Sequence, residues 1–225
     1  MFQRFALLFT LIAISATSLF SQSDVKPRYF IGYSNLQAEG LPNKNDPDNI
    51  ISPDFLDRRT TLHGVNAEAT LPIQNFGITG DFSFNRNKQS SDFSNASQSI
   101  KTDVYYFVAG PSLQFGNQSR FQPFVRLMGG AARTNFKVST QRTLTAGNLS
   151  NDFGTGSTDL ALMVGGGVDM RVNDRVTLRI LQVDYAPIFL GDRAISVLGQ
   201  AGALQTTELD GQRQDQVRFS FGVTF

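Results

Sequence analysis

Hydrophobic and polar residues alternate one by one over much of this chain, most regularly in its last nine residues. There Val217, Phe219, Phe221, Val223 and Phe225 share one parity, and Arg218, Ser220, Gly222 and Thr224 the other. This is the period-two pattern of a β-strand. Seven earlier segments read the same way: 28–36, 61–71, 76–86, 102–115, 121–134, 159–172 and 176–190. In the second, Val65, Ala67, Ala69 and Leu71 oppose Asn66, Glu68 and Thr70; in the third, Phe76, Ile78, Phe82 and Phe84 oppose Thr79, Asp81, Ser83 and Asn85. The sixth sets Leu160, Leu162, Val164, Val168 and Met170 on its apolar face. The seventh breaks phase, because Val176, Leu178 and Ile180 differ in parity from Leu181, Val183 and Tyr185; a bulge near Ile180 reconciles them.

The connections alternate as strictly as the residues. Segments 72–75, 116–120 and 173–175 are short and built from turn-forming residues, whereas 37–60, 87–101, 135–158 and 191–214 are long and polar. Short turns on one side and long loops on the other are the signature of a membrane barrel with periplasmic turns and extracellular loops. A strand ladder with one apolar and one polar face fits a wall between acyl chains and a polar lumen. In hydrocarbon an open sheet edge leaves backbone groups unpaired at several kcal/mol each, so the sheet must close. The expected fold is all-β: a closed eight-stranded antiparallel up-and-down transmembrane β-barrel. Tyr29, Tyr33, Phe76, Phe84, Phe115, Tyr185 and Phe225 fall near strand ends on the outward parity, where interfacial aromatic girdles sit.

Composition narrows the setting. Arg4, the apolar run 5–14 and the small residues of 15–23 read as a secretory signal, too short to span a bilayer as a helix. Residues 1–21 are therefore expected to be cleaved, leaving 24–225 as one barrel domain. The chain has no cysteine, which removes disulfides, a lipoprotein anchor and thiolate metal sites. Twenty Lys+Arg against nineteen Asp+Glu gives a net charge of +1, and nothing in that balance calls for nucleic acid. A mean hydropathy of −0.16 agrees with a barrel whose apolar half is hidden in alternation.

The C-terminal VRFSFGVTF, the FQPFVRLMGGAAR that opens the fifth strand and the RILQVDY of the seventh resemble the small eight-stranded outer-membrane barrels typified by the OmpA membrane domain and OmpX. The resemblance covers the mature chain. It implies a bacterial outer-membrane location with both termini periplasmic, and makes Phe221, Val223 and Phe225 the C-terminal assembly signal. It implies as partners outer-membrane lipids and lipopolysaccharide, periplasmic chaperones and the outer-membrane assembly machinery, with an extracellular ligand open to the loops. The chain ends at the barrel, so the peptidoglycan-binding domain of full-length OmpA relatives is not expected.

Parity also picks candidate lumen residues. Glu68, Asp81, Asp169 and Asp184 point inward, as do Arg126, Arg171, Arg218 and Gln182. Eight strands enclose a space that side chains just fill, and buried charges must pair. The set reads as a salt-bridged plug or as a gated ion path. The single histidine, His63, is the test of a lipid A-modifying enzyme, since such chemistry needs a base close to a nucleophile and an orienting acid. Its parity points outward, so no catalytic residue is expected. Gly165, Gly166 and Gly167 lack the spacing of a nucleotide-binding loop, so no cofactor is expected. The oxygen-rich stretch 43–49 lacks the closing glutamate of a calcium loop, and no metal is expected. Arg58, Arg59 and Arg133 stand near the outer rim, in reach of anionic headgroups. The reading is a non-enzymatic outer-membrane barrel with a structural or surface-interaction role; the alternatives are a small passive pore and a lipid A-modifying enzyme.

Overall fold

The computed structural model describes residues 26–38, 60–73, 76–93, 96–116, 119–144, 147–191, 193–198, 204–209 and 213–225. Twelve strands run β1 (Arg28–Ala38), β2 (Thr60–Ile73), β3 (Phe76–Phe93), β4 (Ala96–Gln114), β5 (Phe121–Leu144), β6 (Gly147–Arg171), β7 (Thr177–Tyr185), β8 (Ile188–Phe189), β9 (Arg193–Leu198), β10 (Leu204–Leu209), β11 (Arg213–Gln214) and β12 (Val217–Thr224). Strands β1 to β7 and β12 pair in sequence order, each antiparallel to the next, and β12 returns to β1. The sheet is thus a closed eight-stranded up-and-down barrel. Closure runs to the last residue: Phe225 and Tyr29 exchange two backbone hydrogen bonds of 2.9 Å.

At the end that carries both termini the turns are short. Gly116 has φ 69°, in the left-handed region that favours glycine, and its carbonyl accepts from Ser119 N at 2.8 Å. The Asn173 side-chain oxygen accepts from Arg175 N and Val176 N at 2.9 and 2.8 Å, an Asx turn.

At the opposite end two of the expected long loops are mostly strand. Strands β3 and β4 stay paired out to Phe93 and Ala96, and β5 and β6 out to Leu144 and Gly147. The segments 87–101 and 135–158 therefore continue the barrel wall. Polar residues predominate there on both parities, so the sequence shows no sustained alternation. β9 and β10 form a separate hairpin between β7 and β12, and β8 with β11 makes a short pairing below it.

The phase break in the seventh segment is a β-bulge. Val168 pairs with Leu181 and Asp169 with Arg179, leaving Ile180 without a partner on β6; on β12, Ser220 pairs with Gln182 and Gly222 with Arg179. Ile180 and Leu181 consequently both face outward, while Arg179 and Gln182 both face in. The regular strand stops at Tyr185, short of the expected 190, because Pro187 interrupts the ladder before β8.

Candidate functional site

The lumen has two storeys. Nearer the termini it is filled by charge. Arg126, from β5, donates to Glu68 of β2 at 2.6 Å, to Asp81 of β3 at 3.1 Å and to both oxygens of Asp184 of β7 at 2.9 and 2.7 Å. Arg218, from β12, grips both oxygens of Asp81 at 2.9 and 2.6 Å and reaches Asp184 at 3.1 Å. Arg179 ties Glu68 (2.6 Å) to Asp169 (2.9 Å) and to Gln182 (2.5 Å). Gln182 in turn donates to Asp184 at 2.8 Å, and Asn66 to Asp81 at 3.2 Å. All of these side chains are buried.

The structure thus brings together seven of the eight residues selected by parity. Arg171 does not join them. It has the inward parity of Asp169, but it closes β6 at the mouth of the barrel and is exposed, with its backbone N bonded to Arg120 O at 2.8 Å. Arg179 takes the place that parity alone gave to others. Its guanidinium lies between the rings of Phe30 and Phe124, 4.2 and 4.4 Å from their centroids. The clue to Arg179 was the bulge, which resets the parity of the residues before it.

Glycine makes the room this network needs. A Cβ on Gly165 would stand 2.3 Å from Asp184 Oδ1, and one on Gly167 2.9 Å from the Phe124 ring. Gly165 and Gly167 thin the wall for its contents. Below the network, a cavity of about 20 Å³ bordered by Arg28, Thr79, Ser112 and Asp169 holds little more than a water molecule.

Farther from the termini the lumen turns apolar. Leu36, Leu62, Val104, Met128, Ala132, Met163 and Ile188 fill it from six strands. Tyr106 crosses the barrel from β4, donating to Ala186 O at 2.9 Å and sharing a 2.8 Å hydrogen bond with Gln216 Oε1. Sequence alternation missed Tyr106 because 104–109 is apolar on both parities.

His63 lies on the outward face, exposed, with Nδ1 against the Tyr33 hydroxyl and 3.5 Å from Asn35 Nδ2. Neither neighbour is an acid. Arg133 is half-buried and donates to Asn135 Oδ1 at 3.2 Å. Arg58, Arg59 and the stretch 43–49 lie outside the described residues, as does the segment 1–21.

Around the outside runs a belt of large apolar side chains. Ile31, Val65, Ile78, Val125, Leu127, Leu160, Phe221 and Phe225 are 48–60% exposed, far more apolar surface than a water-soluble monomer carries. Phe221, Val223 and Phe225 belong to it, with Phe221 5.2 Å from Tyr33 and Phe225 6.3 Å from Tyr29 between ring centroids. The chain matches the family described as outer membrane protein beta-barrel domain over residues 5–225. It belongs to the outer-membrane β-barrel family. Among solved structures, the attachment invasion locus protein Ail of Yersinia pestis is similar to this barrel with a TM-score of 0.51 at 14% identity, covering 90% of this chain and 100% of Ail. Ail in complex with the heparin analogue sucrose octasulfate gives 0.51 at 13% identity with the same coverage. Neisserial surface protein A gives 0.43 at 14% identity, covering 88% of this chain and 95% of its own. At such identities the likeness is one of fold. Among curated proteins none matches the sequence significantly.

Proposed function

We propose that this outer-membrane β-barrel is a non-enzymatic surface protein: a sealed scaffold whose function lies at the end opposite its termini. The observation that carries this reading is the filled lumen. The charged storey is neutralised by its own arginines, and the storey above it is packed with apolar side chains around the Tyr106–Gln216 hydrogen bond. With the tight turns and both termini in the periplasm, the extended β3–β4 and β5–β6 hairpins and the β9–β10 hairpin stand outside the cell. Function on such scaffolds is usually carried by the connecting segments. Ail, whose fold this barrel shares, binds a heparin analogue, which supports an exterior suited to an extracellular ligand. The lipids, the chaperones and the assembly machinery of the outer membrane complete the set of partners, with Phe221, Val223 and Phe225 as the assembly signal.

Planar-bilayer conductance of the purified barrel tests the sealed lumen. Silence is expected from protein shown to be folded and inserted. Reproducible steps that change with Asp81→Asn or Arg218→Gln favour the passive pore instead. Protease added to intact cells tests the orientation, with cleavage in the outward connections and protection of the strands expected. The enzyme alternative predicts that overexpression changes lipid A acylation and that His63→Ala abolishes the change; an unaltered lipid profile removes it.

A further inference from the structure

Six buried polar atoms on one side of the lumen have no hydrogen-bond partner in the protein: Ser34 Oγ, Ser83 Oγ, Ser220 Oγ, Asn66 Oδ1, and both Oδ1 and Nδ2 of Asn85. All five side chains are 0% exposed. Strand pairing brings them together on the inner face of β12, β1, β2 and β3. Ser220 is opposite Ser34, Asn66 is opposite Ser83, and only Gly64 separates Ser34 from Asn85 across the strands. Residues directly opposite each other stand about 5 Å apart at Cβ, and successive ones on the same face of a strand about 7 Å. At such spacings one bridging molecule, with two hydrogen bonds of about 2.8 Å, links neighbouring groups.

The chemistry of the group identifies what it binds. None of the five side chains is charged, and Asp81 beside them is already held by Arg126 and Arg218, so an ion finds no counter-charge. Each hydroxyl both donates and accepts, and the Asn85 amide has its own donors and acceptor unmet. The occupant is therefore small, neutral and able to do both. Native interiors rarely leave such atoms unpaired, and buried water, with about three hydrogen bonds per molecule, is what satisfies them. The sequence continues the group in both directions. On the inward face of β3, Asp81, Ser83, Asn85, Asn87 and Gln89 follow at every second position, from buried Asp81 through half-buried Asn87 to exposed Gln89. Asn66 joins the group to the charged storey, because its Nδ2 donates to Glu68 and Asp81 at 3.3 and 3.2 Å while its Oδ1 stays unpaired.

We infer that Ser34, Asn66, Ser83, Asn85 and Ser220 hold a strip of bound water molecules that runs along β3 from Asp81 toward the end opposite the termini. The strip hydrates one flank of the plug, and the apolar side chains Val104, Met128 and Met163 pack the other. This goes beyond the sealed-scaffold reading and leaves it standing. An ion following single waters would have to shed its hydration shell among uncharged groups, at a cost they do not repay.

The test measures nuclear Overhauser effects from water to protein on isotope-labelled barrel, purified from outer membranes and held in deuterated detergent micelles. Cross-peaks of long-lived water to the Asn85 side-chain amide protons are expected, and their absence overturns the inference. Exchange relayed by the Ser83 hydroxyl would mimic them. Ser83→Ala removes that relay, so the Asn85 cross-peaks should persist in this variant; their loss overturns the inference. Stability supplies an independent arm. Removing a buried hydroxyl that nothing meets raises the unfolding midpoint or leaves it unchanged, whereas removing one bound to water lowers it. S34A/S220A should therefore unfold at lower urea, with an unfolding constant about tenfold larger than wild type. An equal or higher midpoint overturns the inference. Unboiled gel mobility checks that the variants fold; if they do not, the wild-type spectrum decides. Neither conductance nor surface proteolysis depends on internal water, so failure here leaves the tests of the surface role untouched.

Discussion

Asp184 shows how much a single side chain carries here. Its two oxygens receive Arg126, Arg218 and Gln182, and no water-accessible alternative exists at full burial. Asp184→Ala leaves two guanidinia short of a partner, and removing one member of a buried pair typically costs about 3–5 kcal/mol. A lowered urea midpoint for unfolding from lipid vesicles is the expected result, with Arg171→Ala, at the exposed mouth, within about 0.5 kcal/mol of wild type. A midpoint for Asp184→Ala equal to wild type would mean the network contributes no net stability. At this scale alternation exposes the inward parity of Glu68, Asp81, Arg126, Asp169, Asp184 and Arg218. It is silent on height within the barrel, so it does not separate Arg171, exposed at the mouth, from the buried members.

Among the elements, β7 is the one whose sequence cannot be read with a single phase. The extra residue Ile180 lets Arg179 and Gln182 share the lumen. Deleting Ile180 puts the strand in one phase with Arg179 and Gln182 both still facing the lumen and Leu178 and Leu181 facing lipid. The deletion variant should therefore keep the heat-modifiable gel mobility of the folded barrel; its loss would show that the bulge itself is needed. The distal parts of β5 and β6 should tolerate shortening as well. Strands of 24 and 25 residues far exceed the ~9–11 needed to span the apolar layer. Replacing residues 140–151 with a two-residue turn should leave the midpoint for unfolding unchanged within about 1 kcal/mol. That these segments are strands was hidden from the sequence because, beyond the membrane, neither face has to be apolar.

For the molecule as a whole, closure is the governing fact, since it leaves no sheet edge in hydrocarbon. The backbone of Phe225 completes the seam with Tyr29 while its ring stays on the outside, 59% exposed. Phe225→Ala keeps those backbone bonds, so refolded protein should migrate as wild type. The same variant should accumulate more slowly in the outer membrane of cells, measured by pulse-chase; equal rates would remove the assembly-signal reading. Alternation and turn spacing by themselves determined the number of barrel strands, the outward belt and the all-β class, because a wall between lipid and lumen imposes period two on every residue. What only the tertiary structure decided is how the lumen is filled. Residues such as Glu68 and Arg179 are 111 positions apart in sequence, and their meeting depends on strand stagger, a bulge and the glycines that thin the wall. The apolar storey and its Tyr106 strut belong with these, since a run apolar on both faces carries no phase. Barrel closure chose which side went in.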